Sequence, residues 1–243
     1  MANTRKKTIN TDSYKRVVEE NKVLDEILEK LKNKYDFPVD NLLEVGTGLG
    51  NFLTKFLVDS ERTKDIGKFY AMEPVDEFFE ESKRHVVRLS RTDAVTQEFF
   101  GGNPFDVITF SMVYNHIKPD QKKKFLKNIK NNFKDEGKLV VFDMFLPEYD
   151  DEDHKKEIEK EFLRAHIDYF KNHEGEYLMN YFTNVLKGVH EDFWVGKYKT
   201  SLKDFTKMLK KVGFENIEVE HHKGEGKADW EKMGYHIITA EKK

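Results

Sequence analysis

Three glycines at alternate positions, Gly46, Gly48 and Gly50, follow the short apolar run NLLEV and precede Phe52, Leu53, Phe56 and Leu57 at helical spacing. Missing side chains at a strand-to-helix junction let the backbone turn tightly and let a ligand approach the helix N-terminus. A plain tight turn in an unrelated protein needs the same residues. A dinucleotide loop calls for G-x-G-x-x-G, and the sixth position here is Asn51, so that chemistry is not indicated. Further along, Glu73 closes the stretch KFYAME, Asp93 precedes Ala94, His116 follows FDVITFSMVYN, and Asp143 sits within KLVVFDMF. Histidine is the side chain whose ordinary pKa lies nearest neutrality, which suits a general base; a solvent-facing or helix-capping His116 has the same sequence signature. His166 and His173 lie two helical turns apart near His154, Glu161 and Asp168, but no close pair of the H-E-x-x-H kind occurs and no metal is expected.

The elements that must position these groups can be read from periodicity. Residues Ser13 to Lys34 carry Val17, Val18, Val23, Leu24, Ile27, Leu28 and Leu31 at close to the 3.6 period of an amphipathic helix. Strand, glycine turn and helix follow over Asn41 to Leu57. Lys68 to Met72 is expected as a second strand, Val75 to Arg84 as a helix, and His85 to Leu89 as a short third strand. FDVITF is a buried strand, Gln121 to Phe133 an amphipathic helix capped by Gly137, and KLVVFDMF the next buried strand. Apolar strands separated by helices indicate a parallel sheet covered on both faces, a doubly wound α/β core. From Glu148 the alternation stops for two helical stretches, to about His173 and then Glu176 to about Val189. It resumes with Ser201 to Val212 as a helix, Gly213 as its cap, FENIEVE as a strand and GYHIITAEK as a last one. The insertion from Glu148 to Lys199 reads as a cap on the same domain. Its aromatics, among them Tyr169, Phe170, Tyr177, Tyr181, Phe182, Phe193, Trp194 and Tyr198, serve either as the cap's own core or as contacts to a substrate.

Composition limits the function classes. The 243 residues hold 42 Lys+Arg against 45 Asp+Glu, a net charge of -3, which argues against a broad nucleic-acid surface while leaving room for a local basic patch. With no cysteine, disulfide scaffolds, thiolate metal sites and cysteine nucleophiles are excluded. No apolar stretch approaches the ~18 residues of a membrane span, and the start MANTRKKTINTD has no apolar signal region, so a cytoplasmic protein is expected.

In order, these segments resemble the class I S-adenosylmethionine-dependent methyltransferases over roughly Asn41 to Pro147 and the last two strands. LLEVGTGLG is similar to the family's first motif. The resemblance implies that Glu44 faces the amino-acid part of S-adenosyl-L-methionine and that Gly46, Thr47, Gly48 and Gly50 lie under its methionine and ribose. It further implies that Glu73, followed by Pro74, accepts from both ribose hydroxyls and that Asp93 and Ala94 hold the adenine edge. Phe110, Ser111 and Met112 would line cofactor and substrate at the end of the fourth strand. The implied fold is Rossmann-like, a seven-stranded doubly wound sheet with an antiparallel last strand, carrying a helical cap insertion and an N-terminal helix. The implied division is a lid helix over 1–36, a cofactor-binding core over 37–147, the cap over 148–199 on the substrate side, and a closing helix and hairpin over 200–243. Tyr14, near the start of the lid, is expected to touch the cofactor.

Candidates for acceptor chemistry are His116, Asn115 and Asp143. In the register of the O-methyltransferases whose catalytic triplet is His-Asp-Trp, the histidine falls on Asn115, one place before His116. FSMVYNHI lacks the Asp/Asn-Pro-Pro-Tyr/Phe grip of amino-methylating nucleic-acid enzymes, and without cysteine C5-pyrimidine methylation by a thiolate is impossible. Asp143 is followed by Met144, unlike the Asp-Asn of the metal-dependent catechol-type enzymes. The expectation is methyl transfer to O or N of a small molecule, with no nucleic-acid or membrane partner. A protein methyltransferase that docks through the cap, and a cofactor-binding protein without catalysis, remain the competing readings.

Overall fold

The structure is a computed structural model that describes residues 15–17, 19, 26–27, 30–31, 34, 38–50, 66–83, 89–90, 104–172, 175–189, 196–221 and 234–243. Its strands are β1 (Val39–Val45), β2 (Ile66–Met72), β3 (Leu89–Ser90), β4 (Phe105–Ser111), β5 (Phe133–Phe145), β6 (Phe214–His221) and β7 (Gly234–Lys242). The helices are α1 (Asp76–Ser82), α2 (Lys122–Asn131), α3 (Glu152–Asn172), α4 (Glu176–Leu186) and α5 (Leu202–Val212). One seven-stranded sheet runs in the order β3-β2-β1-β4-β5-β7-β6. Strands β1 to β5 are parallel, and β7 runs antiparallel to both β5 and β6. The expected doubly wound sheet with its antiparallel last strand is therefore present.

The strand order reverses between β1 and β4: from β1 the chain builds outward through β2 and β3, then returns to place β4 on the other side. This reversal is where the crevice of a doubly wound fold opens, outside the carboxyl ends of the two strands. The register brings Val45 of β1 level with Met72 of β2 and Phe110 of β4, aligning the three strand ends.

Two apolar layers hold the sheet. On one face α2 and α5 bury Phe125, Leu126, Ile129, Phe205 and Leu209 against Leu43, Ile108, Phe110, Leu139, Val141 and Ile238. On the other, α3 and α4 set Ile158, Phe162, Phe170, Leu178 and Phe182 against Val140, Phe142, Met144 and Ile237, together with Val17, Ile27 and Leu31 of the first helix. The insertion thus packs as a layer on the sheet. Phe170 and Phe182 stack at 5.8 Å inside it and serve as core, while Tyr169, Tyr177 and Tyr181 are partly buried around them. At about 25 cal/mol per Å² of apolar surface, each such buried aromatic contributes on the order of a few kcal/mol against chain entropy.

Helix α5 begins and ends as its sequence indicates. Ser201 caps it by accepting from the Asp204 N–H at 3.1 Å, and Gly213 ends it in the left-handed region at φ 92°. Gly137 does not cap α2. That helix stops at Asn131, and β5 starts at Phe133, which pairs with Phe105; Gly137 lies within the strand, where a Cβ would meet the Phe133 ring at 2.5 Å. Glu136, at φ 64°, absorbs the irregularity in register.

Candidate active site

The loop after β1 is built by its glycines. Gly46, Gly48 and Gly50 all have positive φ (72°, 59° and 76°), and a Cβ on Gly46 would stand 2.5 Å from Val113 Cγ2. The Gly46 and Thr47 amides donate to the Met72 carbonyl at 2.8 and 3.0 Å, tying the loop to the end of β2. Glu73 completes the tie: its Oε2 accepts from the Gly48 N–H at 2.8 Å and its Oε1 from the Val75 N–H at 2.9 Å. Ser82 of α1 donates to the Gly48 carbonyl at 2.5 Å. Glu44 is buried beneath the loop and accepts from the Thr47 hydroxyl.

These two carboxylates are unusual for what surrounds them. Glu44 is 1% and Glu73 3% exposed, and among the described residues neither meets a basic side chain. Burial pushes Glu44 up to about 8, with the Thr47 hydrogen bond opposing and the Glu73 charge adding to the rise. Burial likewise pushes Glu73 up to about 7, against the amide bonds from Val75 and Gly48. A sulfonium compound with an α-ammonium group and a ribose brings positive charge and vicinal hydroxyls. Two buried carboxylates without cations, next to a backbone from which Cβ atoms are excluded, fit that donor set.

The second half of the crevice is the end of β4. Met112 is held at φ 56°, its amide donating to the Phe142 carbonyl at 2.8 Å, and the chain then makes a single 3-10 turn, Tyr114–His116. Backbone strain of this kind in a non-glycine residue persists where surroundings fix it. Here the fixing group is Asp143, fully buried in β5. Its Oδ2 accepts from the Tyr114 N–H at 2.8 Å, and its Oδ1 from the Met144 N–H at 2.8 Å and Asn115 Nδ2 at 2.7 Å. Burial pushes Asp143 up to about 7 despite these bonds and the nearby Lys122 charge. Asn115, also fully buried, donates in addition to the Met144 carbonyl. His116 is exposed on the turn, its amide donating to the Val113 carbonyl at 2.9 Å.

The expected site residues therefore fall into distinct places. Glu44, Gly46, Thr47, Gly48, Gly50 and Glu73 converge on the β1 loop, with Pro74 exposed just beyond it. Ser111, Met112, Asn115, His116 and Asp143 gather at the β4 end. The Phe110 side chain points to the α2 layer, edge-on to Phe125 at 5.3 Å, so its ring belongs to the core. Tyr14, Asp93 and Ala94 lie outside the described residues, as do His173, Phe193 and Trp194. His166 is no metal ligand in waiting: both ring nitrogens are engaged, Nδ1 at 3.0 Å from the Phe162 carbonyl and Nε2 at 3.2 Å from the Tyr235 hydroxyl, and burial pulls it down to about 3. Among the described residues no three His, Asp or Glu side chains cluster to hold a metal ion.

Other groups at the site escape sequence reasoning. Lys122 is 6% exposed, lies 4.4 Å over the Tyr114 ring and donates to the Tyr198 carbonyl at 2.6 Å, while the Tyr198 amide donates to the Asn115 carbonyl at 2.8 Å. Burial lowers Lys122 to about 8. The chain returning from the insertion is thereby fastened to the turn carrying His116. The signal was present: Lys122, Phe125, Leu126 and Ile129 share one helical stripe, which places this lysine on the buried side of α2. Among the described residues Ser111 Oγ and Asn115 Oδ1 are buried without a hydrogen-bond partner. Two orphaned oxygens at one strand end are a cost that a bound donor would relieve.

Comparison with known proteins gives the family and the fold. A family model described as a methyltransferase domain matches residues 15–183. The chain is 27% identical over 172 residues to an uncharacterized methyltransferase of Staphylococcus carnosus, covering 69% of this chain and 68% of that protein. Its fold is similar to a Thermotoga maritima SAM-dependent methyltransferase, named as a candidate histamine N-methyltransferase, with TM-score 0.62, 17% identity and 96% of both chains covered. It is also similar to a candidate O-methyltransferase of Nostoc punctiforme, with TM-score 0.57 and 14% identity, covering 89% of this chain; it spans 56% of the length of that protein.

Proposed function

The chain belongs to the class I S-adenosylmethionine-dependent methyltransferases, and from that membership we propose that it methylates an oxygen or nitrogen of a small molecule held in the crevice between β1 and β4. S-adenosylmethionine, when bound, supplies an electrophilic methyl group on a sulfonium. What this chain's residues contribute is binding, orientation and exclusion of water. The loop glycines give close backbone approach, Glu44 and Glu73 supply negative charge and hydrogen-bond acceptors for the cofactor, and the turn Tyr114–His116 faces the acceptor.

The observation that carries the acceptor class is the pair of buried oxygens without partners, Ser111 Oγ and Asn115 Oδ1. Lone pairs in such a place favour an acceptor that brings O–H or N–H donors. The insertion is read as limiting its size: Arg16 of the first helix lies 4.1 Å over the Tyr177 ring, and Tyr198 is bonded to the Asn115 turn, contacts that support a helix and insertion closing over the crevice. Incubation with methyl-labelled cofactor, in parallel with a metabolite extract and with a protein lysate, tests the reading. Label in small molecules is the expected result; label confined to protein bands overturns it in favour of a docking methyltransferase.

His116 is the group we assign to removing the acceptor's proton, since it is exposed on the turn at the carboxyl edge of β4. His116→Ala is expected to lower kcat by about 100-fold or more with cofactor affinity nearly unchanged, in line with the usual contribution of a positioned base. A pH-rate profile that keeps its wild-type shape in that variant removes the assignment.

A further inference from the structure

The outer surface of helices α2 and α5 carries a concentration of positive charge that methyl transfer does not use. The two helices lie side by side. Near their N-terminal ends the Tyr114 ring touches both Phe125, at 6.3 Å, and Phe205, at 4.6 Å; at their C-terminal ends a Cβ on Gly213 would stand 2.3 Å from Lys130 Nζ. Lys123, Lys124 and Lys127 on α2 and Lys207, Lys210 and Lys211 on α5 are all exposed. Residues 121–134 and 205–213 contain no Asp or Glu.

None of these six ammonium groups is in an ion pair among the described residues. Lys83, Lys134, Lys156 and Lys160, off this face, each sit within 3.1 Å of a carboxylate oxygen, and in the first turn of α5 Lys203 meets Glu148. Unpaired like charges on one face repel one another, and anions from outside the chain relieve that repulsion. The near-balanced total charge conceals this face, because the six lysines are offset by acidic residues along the rest of the chain.

We propose that the α2–α5 face adsorbs to an anionic lipid bilayer surface. The chemistry of the face selects this occupant. Lysine is a hydrated point charge suited to a diffuse negative surface, and the six residues include no arginine fork to read phosphates bidentately. There is no aromatic side chain among the exposed positions of either helix on which a base could stack, as single-stranded nucleic acid requires. A protein partner wants an apolar anchor, and the large hydrophobic side chains exposed among the described residues, Val189 and Val219, lie on neither helix. Two helices about 10 Å apart present a flat platform rather than a groove. This partner departs from the expectation of no membrane partner, which rested on the lack of a long apolar stretch; no described helix is long and apolar enough to cross a membrane, and the proposed contact is peripheral.

The test is co-sedimentation of the full chain with phosphatidylglycerol vesicles and with phosphatidylcholine vesicles. Binding is expected to the anionic vesicles alone at about 0.1 M salt and to be lost as the screening length shortens toward 1 M. The variant Lys123→Glu/Lys127→Glu/Lys207→Glu/Lys210→Glu is expected to bind at least about tenfold more weakly with unchanged thermal stability, each lysine adding to the attraction. No binding to anionic vesicles, equal binding by the variant, or displacement of the protein from vesicles by RNA at matched charge each overturns the proposal, the last in favour of nucleic acid.

Discussion

Glu73→Ala reduces S-adenosylmethionine affinity by about 10- to 100-fold, read by calorimetry, because the substitution strikes the crevice twice. It removes a carboxylate expected to accept hydrogen bonds from the cofactor, each charge-assisted bond contributing about 1.5–3 kcal/mol. It also strips the Gly48 and Val75 amides of their acceptor, loosening the loop that shapes the binding surface. Glu73→Gln separates the two effects, since its one carbonyl oxygen can keep one amide bonded. The pH dependence gives a second readout with a definite sign. Both Glu44 and Glu73 are raised above the ordinary carboxylate range, so their contribution to the stability of the cofactor-free protein is fully present below the unfolded value of 4.5. That contribution is lost as pH climbs through about 7 to 8. Cofactor affinity runs the other way, rising with pH as the carboxylates ionise against a cation. In Glu73→Gln both slopes flatten. Unchanged affinity in both variants removes Glu73 from the site.

Much of this half of the crevice is legible in the sequence because it is local. A buried strand, alternate glycines and an acidic strand end constrain one another within about thirty positions, and the required left-handed backbone at Gly46, Gly48 and Gly50 has few solutions in residue type. The other half is not local. Asp143 reads as a strand-end acid available for chemistry, whereas the parallel pairing of β4 with β5 buries it under the turn. Lys122 stands in the run KKK and looks solvated until the phase of the helix is followed. The start of β5 was hidden for a similar reason: Gly137 resembles a helix cap, and only the pairing of Phe133 with Phe105 across the sheet draws the strand back past it. The insertion's helices are visible as amphipathic stripes, but a stripe names no partner, and the sheet face that α3 and α4 cover is set by tertiary packing.

Asp143 is where anchoring and catalysis predict opposite outcomes. It is fully buried, and its two oxygens accept from Tyr114, Met144 and Asn115, so it has no lone pair directed at solvent and holds the His116 turn in place. Asp143→Ala leaves two backbone amides and one side-chain amide short of an acceptor in a dry interior. At about 1 kcal/mol or more per group, the expected loss is about 3 kcal/mol. For a chain of this size that is a fall in Tm of about 6–12 °C, with the denaturant m-value unchanged. Turnover falls with it, because the turn is no longer fixed, while cofactor affinity at the β1 loop changes little. Asp143→Asn keeps a carbonyl oxygen for one or two of these donors and cannot ionise, so it is expected to retain most of the stability and a substantial part of kcat. A carboxylate that abstracted the acceptor's proton would give the reverse: Asp143→Asn would keep the wild-type Tm and lose nearly all turnover. Thermal melts and single-turnover rates on the two variants therefore decide whether Asp143 holds the catalytic turn or belongs to the chemistry itself.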